Sequence, residues 1–254
     1  MREIDKAFLA ATRTAALNSA PPDRSVVILS GGMDSTIAMR LCVERLGPDK
    51  VKALSFNYGQ RQVIELERAA ASTKLLGVEH EIVDLNFISR FGKGFSANID
   101  PSMEMPTIQD VLGDPQPKTY VPNRNMIMLS IAAAYAETHN CKFIVTGLQV
   151  HDTYGYWDTT QGFVDSMNSV LSQNRHNKIR IVAPFVDISK TKELKILNVL
   201  DGNYDLLQHT ITCYNPKDGI SCGQCPSCAE RIGAFISVGG IDPIPYAIDI
   251  DWNR

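Results

Sequence analysis

The hexapeptide Ser30-Gly31-Gly32-Met33-Asp34-Ser35 joins an apolar run at residues 26–29 to a helix-like pattern at residues 36–43. A continuous apolar run of this kind is typical of a buried parallel strand. Glycines let backbone N–H groups approach oxygen atoms closely, and a helix N-terminus adds partial positive charge. The hexapeptide therefore predicts an anion site, in which two serine hydroxyls are further donors and Asp34 can serve a metal or a nucleophile. No Gly-x-x-x-x-Gly-Lys-[Ser/Thr] pattern occurs, which argues against a Walker-type phosphate loop.

The bulk composition is that of an ordinary globular chain. Among 254 residues, 44% are hydrophobic and 21% are charged, and the formal net charge of -3 gives no electrostatic case for nucleic-acid binding. We expect no membrane span, because no apolar run reaches about 18 residues. Residues 1–24 lack the apolar core of a signal peptide and suggest a short amphipathic helix that ends at Pro21-Pro22. Together with the cysteine usage, this predicts a cytoplasmic location.

Strand-like and helix-like segments alternate along the chain. Strands are predicted at 26–29, 51–56, 80–85, 143–146 and 179–182, and helices at 36–43, 63–76, 126–137, 163–171 and 192–200. This alternation predicts the α/β class, with a parallel sheet that has helices on both faces. Ligands of such sheets bind beyond the carboxyl ends of the strands, where the hexapeptide lies. Residues 86–120, rich in glycine and proline, interrupt the alternation and predict a long functional loop.

Four cysteines fall within 16 residues near the C-terminus. Cys213, Cys222, Cys225 and Cys228 have the spacing C-x8-C-x2-C-x2-C. Four thiolates close a tetrahedral zinc site with no open position, so we predict a structural Zn²⁺; an iron–sulfur cluster with the same ligands is the alternative. Cys42 and Cys141 lie in apolar settings and are interpreted as buried side chains.

The hexapeptide resembles the pyrophosphate loop (PP-loop) of the ATP-pyrophosphatase superfamily. Together with the cysteine spacing, it resembles one family in particular, the 7-cyano-7-deazaguanine (preQ0) synthases of queuosine biosynthesis. Further stretches are similar to motifs of that family, and the likeness runs from about residue 26 to residue 246. These stretches are Phe56-Asn57-Tyr58-Gly59-Gln60-Arg61, Val121-Pro122-Asn123-Arg124-Asn125, Ser221-Cys222-Gly223-Gln224-Cys225-Pro226-Ser227-Cys228 with Arg231 and Phe235, and Asp242-Pro243 with Tyr246.

The resemblance implies an adenine nucleotide α-hydrolase-like, Rossmann-like fold in three parts. These are an N-terminal helical extension at 1–24, a PP-loop domain at 25–209 and a zinc-binding C-terminal segment at 210–254. The implied activity is a C–N ligase: ATP and Mg²⁺ adenylate 7-carboxy-7-deazaguanine with release of pyrophosphate, ammonia gives the amide, and a second activation by ATP gives the nitrile. A homodimer is expected, and nucleic acid is not an expected partner.

The resemblance also implies roles for individual residues. Asp34, Ser35 and Arg124 are the expected catalytic residues, and Asn125 is expected to cap the helix that follows. Residues expected to bind ATP are Leu29, Ser30, Gly31, Gly32, Met33, Asp34, Ser35, Thr36, Arg124, Gly147 and Lys190. The spacing leaves open whether Lys190 or Lys192 contacts phosphate. Residues expected to bind the deazaguanine acid are Tyr58, Arg61, Asp152, Tyr156 and Asp158.

The segment at residues 152–160 departs from the family pattern. The family usually has Asp-x-Ser-Gly-Tyr-Pro-Asp-Cys-Arg, whereas this chain has Asp-Thr-Tyr-Gly-Tyr-Trp-Asp-Thr-Thr. Loss of the arginine removes a bidentate anion contact. A competing hypothesis is therefore an anti-phage defence enzyme of the same family that joins the adenylated acid to a protein amine. Two more hypotheses are a tRNA-thiolating or lysidine-forming enzyme of the superfamily, and a zinc-stabilised nucleotide sensor without turnover.

Overall fold

A computed structural model describes residues 24–106, 108–111, 114, 116–149 and 156–253. The N-terminal helix expected within residues 1–24 and the expected substrate residue Asp152 lie outside the described residues, apart from Arg24, which begins the first strand. None of the described helices is both long enough and apolar enough to cross a membrane.

The described chain contains one parallel sheet and a set of helices. The strands are β1 (Arg24–Ile28), β2 (Val51–Asn57), β3 (Glu79–Asp84), β4 (Cys141–Thr146) and β5 (Arg180–Val182). The helices are α1 (Met33–Leu46), α2 (Ile64–Leu76), α3 (Ile88–Gly92), α4 (Ile108–Val111), α5 (Arg124–Thr138), α6 (Gln161–Leu171), α7 (Lys190–Asp201) and α8 (Pro226–Ser237). Short 3-10 turns occupy Pro48–Lys50, Trp157–Thr159 and Asp205–His209.

The strand order places β1 at the centre of the sheet. The order is β3-β2-β1-β4-β5, and every neighbouring pair is parallel. The chain first moves outward from β1 on one side and then crosses over to β4 on the other. The crevice beyond β1 and β4 is therefore the topological switch point, where parallel α/β sheets bind ligands. The predicted α/β class is confirmed.

Successive side chains of the central strands pack alternately into two apolar layers, one on each face of the sheet. Val27 belongs to a fully buried cluster with α1, α7 and α8, whereas Val26 belongs to a second cluster with α5 and α6. Successive side chains of a strand point to opposite faces, so a strand covered on both faces must be apolar at nearly every position. This is why β1 has the continuous apolar sequence from which the sheet was predicted.

Two helices begin earlier than their sequence patterns indicated. Helix α1 starts at Met33, inside the hexapeptide, with Gly32 as its N-cap residue. Helix α5 starts at Arg124 with Asn123 as its N-cap residue, in the left-handed region at φ 54°. The expected N-cap role of Asn125 is wrong. Asn125 already lies inside the helix, and its side-chain amide donates to the carbonyl oxygen of Asp158 at 3.2 Å.

The loop predicted at residues 86–120 packs against the end of the sheet. Its described part contains α3 and α4, and the N–H of Ala97 donates to the carbonyl oxygen of Lys118 at 2.8 Å. The side-chain amide of Asn98 donates to the carbonyl oxygen of Thr119, also at 2.8 Å. These bonds join residues 97–98, inside the loop, to residues 118–119 near its end.

The C-terminal segment is fastened by one buried ion pair. Arg231 of α8 donates to both carboxylate oxygens of Asp242, from Nε at 2.6 Å and from NH2 at 2.8 Å, and both side chains are fully buried. Arg231 also donates to the hydroxyl of Thr210 at 2.8 Å, and the phenol of Tyr246 donates to Asp242 at 2.6 Å. This network attaches Asp242 and Tyr246 to Thr210, at the start of the cysteine-bearing segment.

Candidate functional site

A cavity of about 260 Å³ opens at the carboxyl ends of β1, β2 and β4. It lies at the switch point, where the sequence predicted an anion site. Nine of the expected site residues line it. They are Leu29, Ser30, Gly32, Asp34, Ser35, Tyr58, Arg124, Gly147 and Lys190.

The serine hydroxyls hold the hexapeptide in shape. Ser30 Oγ lies 3.0 Å from Ser35 Oγ and accepts from the N–H of Gly32 at 3.2 Å. Ser35 Oγ also accepts from the N–H of Ser30 at 3.2 Å. The loop is therefore preorganised around its own hydroxyls, at the N-terminus of α1, where the helix dipole favours an anion.

Two glycines allow elements to approach the hexapeptide closely. At Gly31, which has φ +83°, an added Cβ would lie 2.0 Å from the carbonyl oxygen of Glu65 in α2. At Gly147, after β4, a Cβ would lie 2.6 Å from the backbone nitrogen of Ser35. Each neighbour is rigid backbone. The structure therefore explains both glycines by close backbone contact, and their roles in ATP binding stay predictions.

Lys190, and not Lys192, lies in the cavity. Its ammonium group donates to both carboxylate oxygens of Asp34, each at 2.8 Å. Burial lowers the pKa of Lys190, but the charges of Asp34, Glu193 and Glu230 and the hydrogen bond to Asp34 together more than offset this, and the pKa is raised overall. Lys190 therefore stays a cation beside the start of α1. Lys192 is exposed on the same helix and does not line the cavity.

Arg124 supplies the second cation of the cavity wall. Its NH1 donates to the phenol oxygen of Tyr58 at 3.3 Å, and its guanidinium carbon lies 5.6 Å from the centre of that ring. Burial works to lower the pKa of Arg124, whereas Tyr58 and the carboxylate of Asp158 raise it, and the net shift is upward. Among the described lining residues, Arg124 and Lys190 are the cationic side chains.

Besides Gly31, five other expected site residues that the structure describes lie away from the cavity lining. Arg61 is exposed and donates to the carbonyl oxygens of Ala97 and Met103, so it supports the 86–120 loop. The phenol of Tyr156 hydrogen-bonds the hydroxyl of Thr119. Met33 and Thr36 are fully buried in α1.

Asp158 is the fifth of these residues, and it is 2% exposed. Its carboxylate accepts from the N–H of Asn125 in the first turn of α5. Burial raises its pKa despite the nearby charge of Arg124. In the described structure, Asp158 contacts the first turn of α5 and interacts electrostatically with Arg124. A contact between Asp158 and the deazaguanine acid stays a prediction.

The four cysteines form a compact cluster. Their sulfurs all lie within 4.8 Å of one another, and Cys222 Sγ is 4.0 Å from Cys228 Sγ. Backbone N–H groups of Asn215 and Cys222 donate to Cys213 Sγ at 3.3 and 3.2 Å. Four convergent sulfurs with such donors fit a metal ion, so the cluster is a candidate metal site.

The same segment also forms a wall of the cavity. Ile211, Thr212, Tyr214, Ser227 and Glu230 line it, together with Glu65 from α2. The N–H of Ile211 donates to the carbonyl oxygen of Gly31 at 3.0 Å, which attaches the segment to the hexapeptide. Sequence reasoning missed these lining residues because their approach depends on long-range packing. Only Glu65 could have been found from a local pattern, because it is an acidic residue in the first turn of α2, the helix that follows Tyr58-Gly59-Gln60-Arg61.

A comparison with known families identifies this combination of loop and cysteine segment. The profile of the family described as "Queuosine biosynthesis protein QueC" matches residues 24–239. The chain belongs to this family. A 7-cyano-7-deazaguanine synthase from Caldicellulosiruptor bescii is 40% identical over 230 residues, which is 90% of this chain and 100% of that protein. Synthases from Marinomonas sp. and Methanocaldococcus jannaschii are 38% and 33% identical over 88% of this chain, and the matches cover 98% and 99% of those proteins.

The solved structures support the fold of this QueC family member. The U34-tRNA thiolase NcsA from Methanococcus maripaludis, solved with its [4Fe-4S] cluster, superposes with a TM-score of 0.50. The match covers 87% of this chain and 69% of that one at 15% identity, so it concerns the fold alone. The family resemblance is confirmed, and neither the matched family nor the related synthases support the hypotheses of a defence ligase or a sensor.

Proposed function

We propose that this QueC family member converts 7-carboxy-7-deazaguanine to 7-cyano-7-deazaguanine with ATP and ammonia. The observation that carries the proposal is the cavity at the switch point, in which the hexapeptide, Arg124 and Lys190 meet in a chain of this family. The carboxylate of the acid is a poor electrophile, so it must first be activated. Adenylation supplies AMP as a leaving group, and the protein contributes mainly position and charge.

The two cations that line the cavity would bind the phosphates of ATP. Lys190 projects from the start of α7 and Arg124 from the start of α5, and both are buried enough that their charge is weakly screened. The N-terminus of α1 with the ordered hexapeptide lines the same cavity. This arrangement suits a group whose negative charge grows as pyrophosphate departs.

Asp34 is the carboxylate that would hold Mg²⁺ near the phosphates. It lines the cavity and offers the oxygen ligands that this ion prefers. Bound Mg²⁺ would neutralise charge on the departing pyrophosphate. The contact with Lys190 holds the Asp34 carboxylate at the start of α1, beside the cavity.

The metal of the cysteine cluster is proposed to be zinc. A tetrahedral ion with bonds of ~2.3 Å to four sulfurs would separate those sulfurs by ~3.8 Å. The observed 4.0 Å between Cys222 and Cys228 is close to that value. A [4Fe–4S] cluster bonds each thiolate to a different iron, which requires wider spacing of the sulfurs. The ion would be structural and would hold the wall at residues 211–214 against the hexapeptide.

The experiment that tests the function is ATP–pyrophosphate exchange. We expect 7-carboxy-7-deazaguanine to stimulate exchange, and benzoate not to, because a site that pairs the polar edge of a base rejects compounds lacking it by ~10⁴-fold or more. Asp34→Asn should abolish exchange while the unfolding transition persists. Exchange that is indifferent to the acid would refute the proposal. The cytoplasmic location and the homodimer stay expectations.

A further inference from the structure

Glu65 is a cavity residue to which the adenylation step gives no role. It lies in the first turn of α2, is half-buried, and lines the cavity together with Tyr58 and Arg124. Its backbone is held in place, because the missing side chain of Gly31 lets the carbonyl of Glu65 reach the ATP loop. The backbone position from which the Glu65 side chain extends is therefore fixed, next to the loop where the adenylate would form.

The carboxyl group of Glu65 has no hydrogen-bond partner among the described residues, although it interacts electrostatically with Arg124. The other charged side chains that line the cavity are Asp34, Lys190, Arg124 and Glu230. Of the two further carboxylates, Asp34 is bonded to Lys190 through both oxygens, and Glu230 also has a partner. Glu65 thus offers an uncommitted carboxylate to whatever enters the cavity.

The environment of Glu65 also suits proton exchange near neutral pH. Burial raises its pKa to about 8, and the positive charge of Arg124 offsets only part of that effect. A group whose pKa lies near the working pH both accepts and releases a proton readily.

We propose that Glu65 is the general base of amide formation, an inference that rests on the proposed function. Ammonia attacks the carbonyl carbon of the acyl adenylate, a C–N bond forms, and the electron pair of the C=O bond moves to oxygen. The carboxylate of Glu65 removes one proton from the positively charged nitrogen. The C=O bond then reforms and the bond to the AMP oxygen breaks, which leaves the amide, AMP and a protonated Glu65. Glu65 returns its proton to water before the next turnover.

The test separates adenylation from amide formation in Glu65→Gln. We expect acid-dependent ATP–pyrophosphate exchange close to the wild-type rate, and amide formation from ammonia reduced ~100-fold or more. The retained exchange also shows that the variant folds. Glu67→Gln is the matched control, because Glu67 is an exposed acidic residue in the same helical turn, and both of its reactions should be unchanged.

Hydroxylamine provides a second readout on the same variant. It is a stronger nucleophile that is largely unprotonated at neutral pH, so its reaction should depend less on a base and should fall less than the reaction of ammonia. Wild-type amide formation in Glu65→Gln would overturn the inference. So would loss of exchange, or an equal loss with both nucleophiles, because those results place Glu65 in binding or positioning. If the wild-type chain shows no acid-dependent exchange, the proposed function fails instead.

Discussion

Replacing Gly147 by alanine tests the contact between β4 and the ATP loop. The new Cβ would lie 2.6 Å from the nitrogen of Ser35, 2.8 Å from its Cα and 2.9 Å from the carbonyl carbon of Asp34. Ordinary contacts begin near 3.4 Å, so β4 and the start of α1 must separate by roughly 0.8 Å. All three neighbours are backbone atoms, which cannot rotate aside. The displacement would therefore be passed directly to Asp34 and Ser35.

The expected losses follow from that displacement. Overpacking of this kind costs about 1–3 kcal/mol, which lowers Tm by roughly 2–12 °C in a chain of this size. A misplacement approaching 1 Å reduces a positioned reaction by ~100-fold. ATP–pyrophosphate exchange and thermal unfolding measure the two effects.

The control for Gly147→Ala is Gly233→Ala in helix α8. A Cβ there would meet nothing within 4 Å, so this variant should keep full exchange and should gain about 0.5–1 kcal/mol from helix propensity. Full activity and an unchanged Tm in Gly147→Ala would refute the steric reasoning.

Four further outcomes are expected. Elemental analysis should find one zinc ion per wild-type chain and none in Cys225→Ser, whose C-terminal segment should also be less stable. Iron, or no metal, in the wild-type protein would contradict the zinc assignment. Asp242→Ala should cost about 3–5 kcal/mol in denaturant unfolding, because it leaves a guanidinium buried without its partner. Lys190→Met should reduce adenylation by ~10²–10³-fold, whereas the exposed Lys192→Met should not. Because the pKa of Glu65 is raised from 4.5 to about 8, the folded chain keeps a proton that the unfolded chain loses, so stability should fall as pH rises through that window; Glu65→Gln should remove this part of the slope in thermal unfolding.

The sheet and the ATP loop could be predicted because their signals are local. The apolar run of β1 and the two glycines after it are contiguous in the sequence. A strand buried on both faces needs apolar residues at nearly every position, so it can be recognised from its sequence alone. For the lysine expected to contact phosphate, sequence spacing left two candidates, Lys190 and Lys192. Only the structure of α7 shows that Lys190 is the one that contacts Asp34 in the cavity.

The remaining wall of the cavity could not be predicted in the same way. Tyr214 and Glu230 reach the cavity because the C-terminal segment folds back onto the hexapeptide through the bond between Ile211 and Gly31. No short-range pattern encodes such a contact. Asn125 was misassigned for a similar reason: its nearest partner, Asp158, is distant in sequence, and the left-handed Asn123 takes the capping position.

The most direct test of the account is product analysis with the wild-type chain. The protein would be incubated with ATP, Mg²⁺, 7-carboxy-7-deazaguanine and ammonium, and the products analysed by mass spectrometry and nucleotide chromatography. We expect the acid to give first the amide and then 7-cyano-7-deazaguanine, with AMP and pyrophosphate as the nucleotide products. An unchanged acid, or ADP and phosphate as the main nucleotide products, would contradict the account.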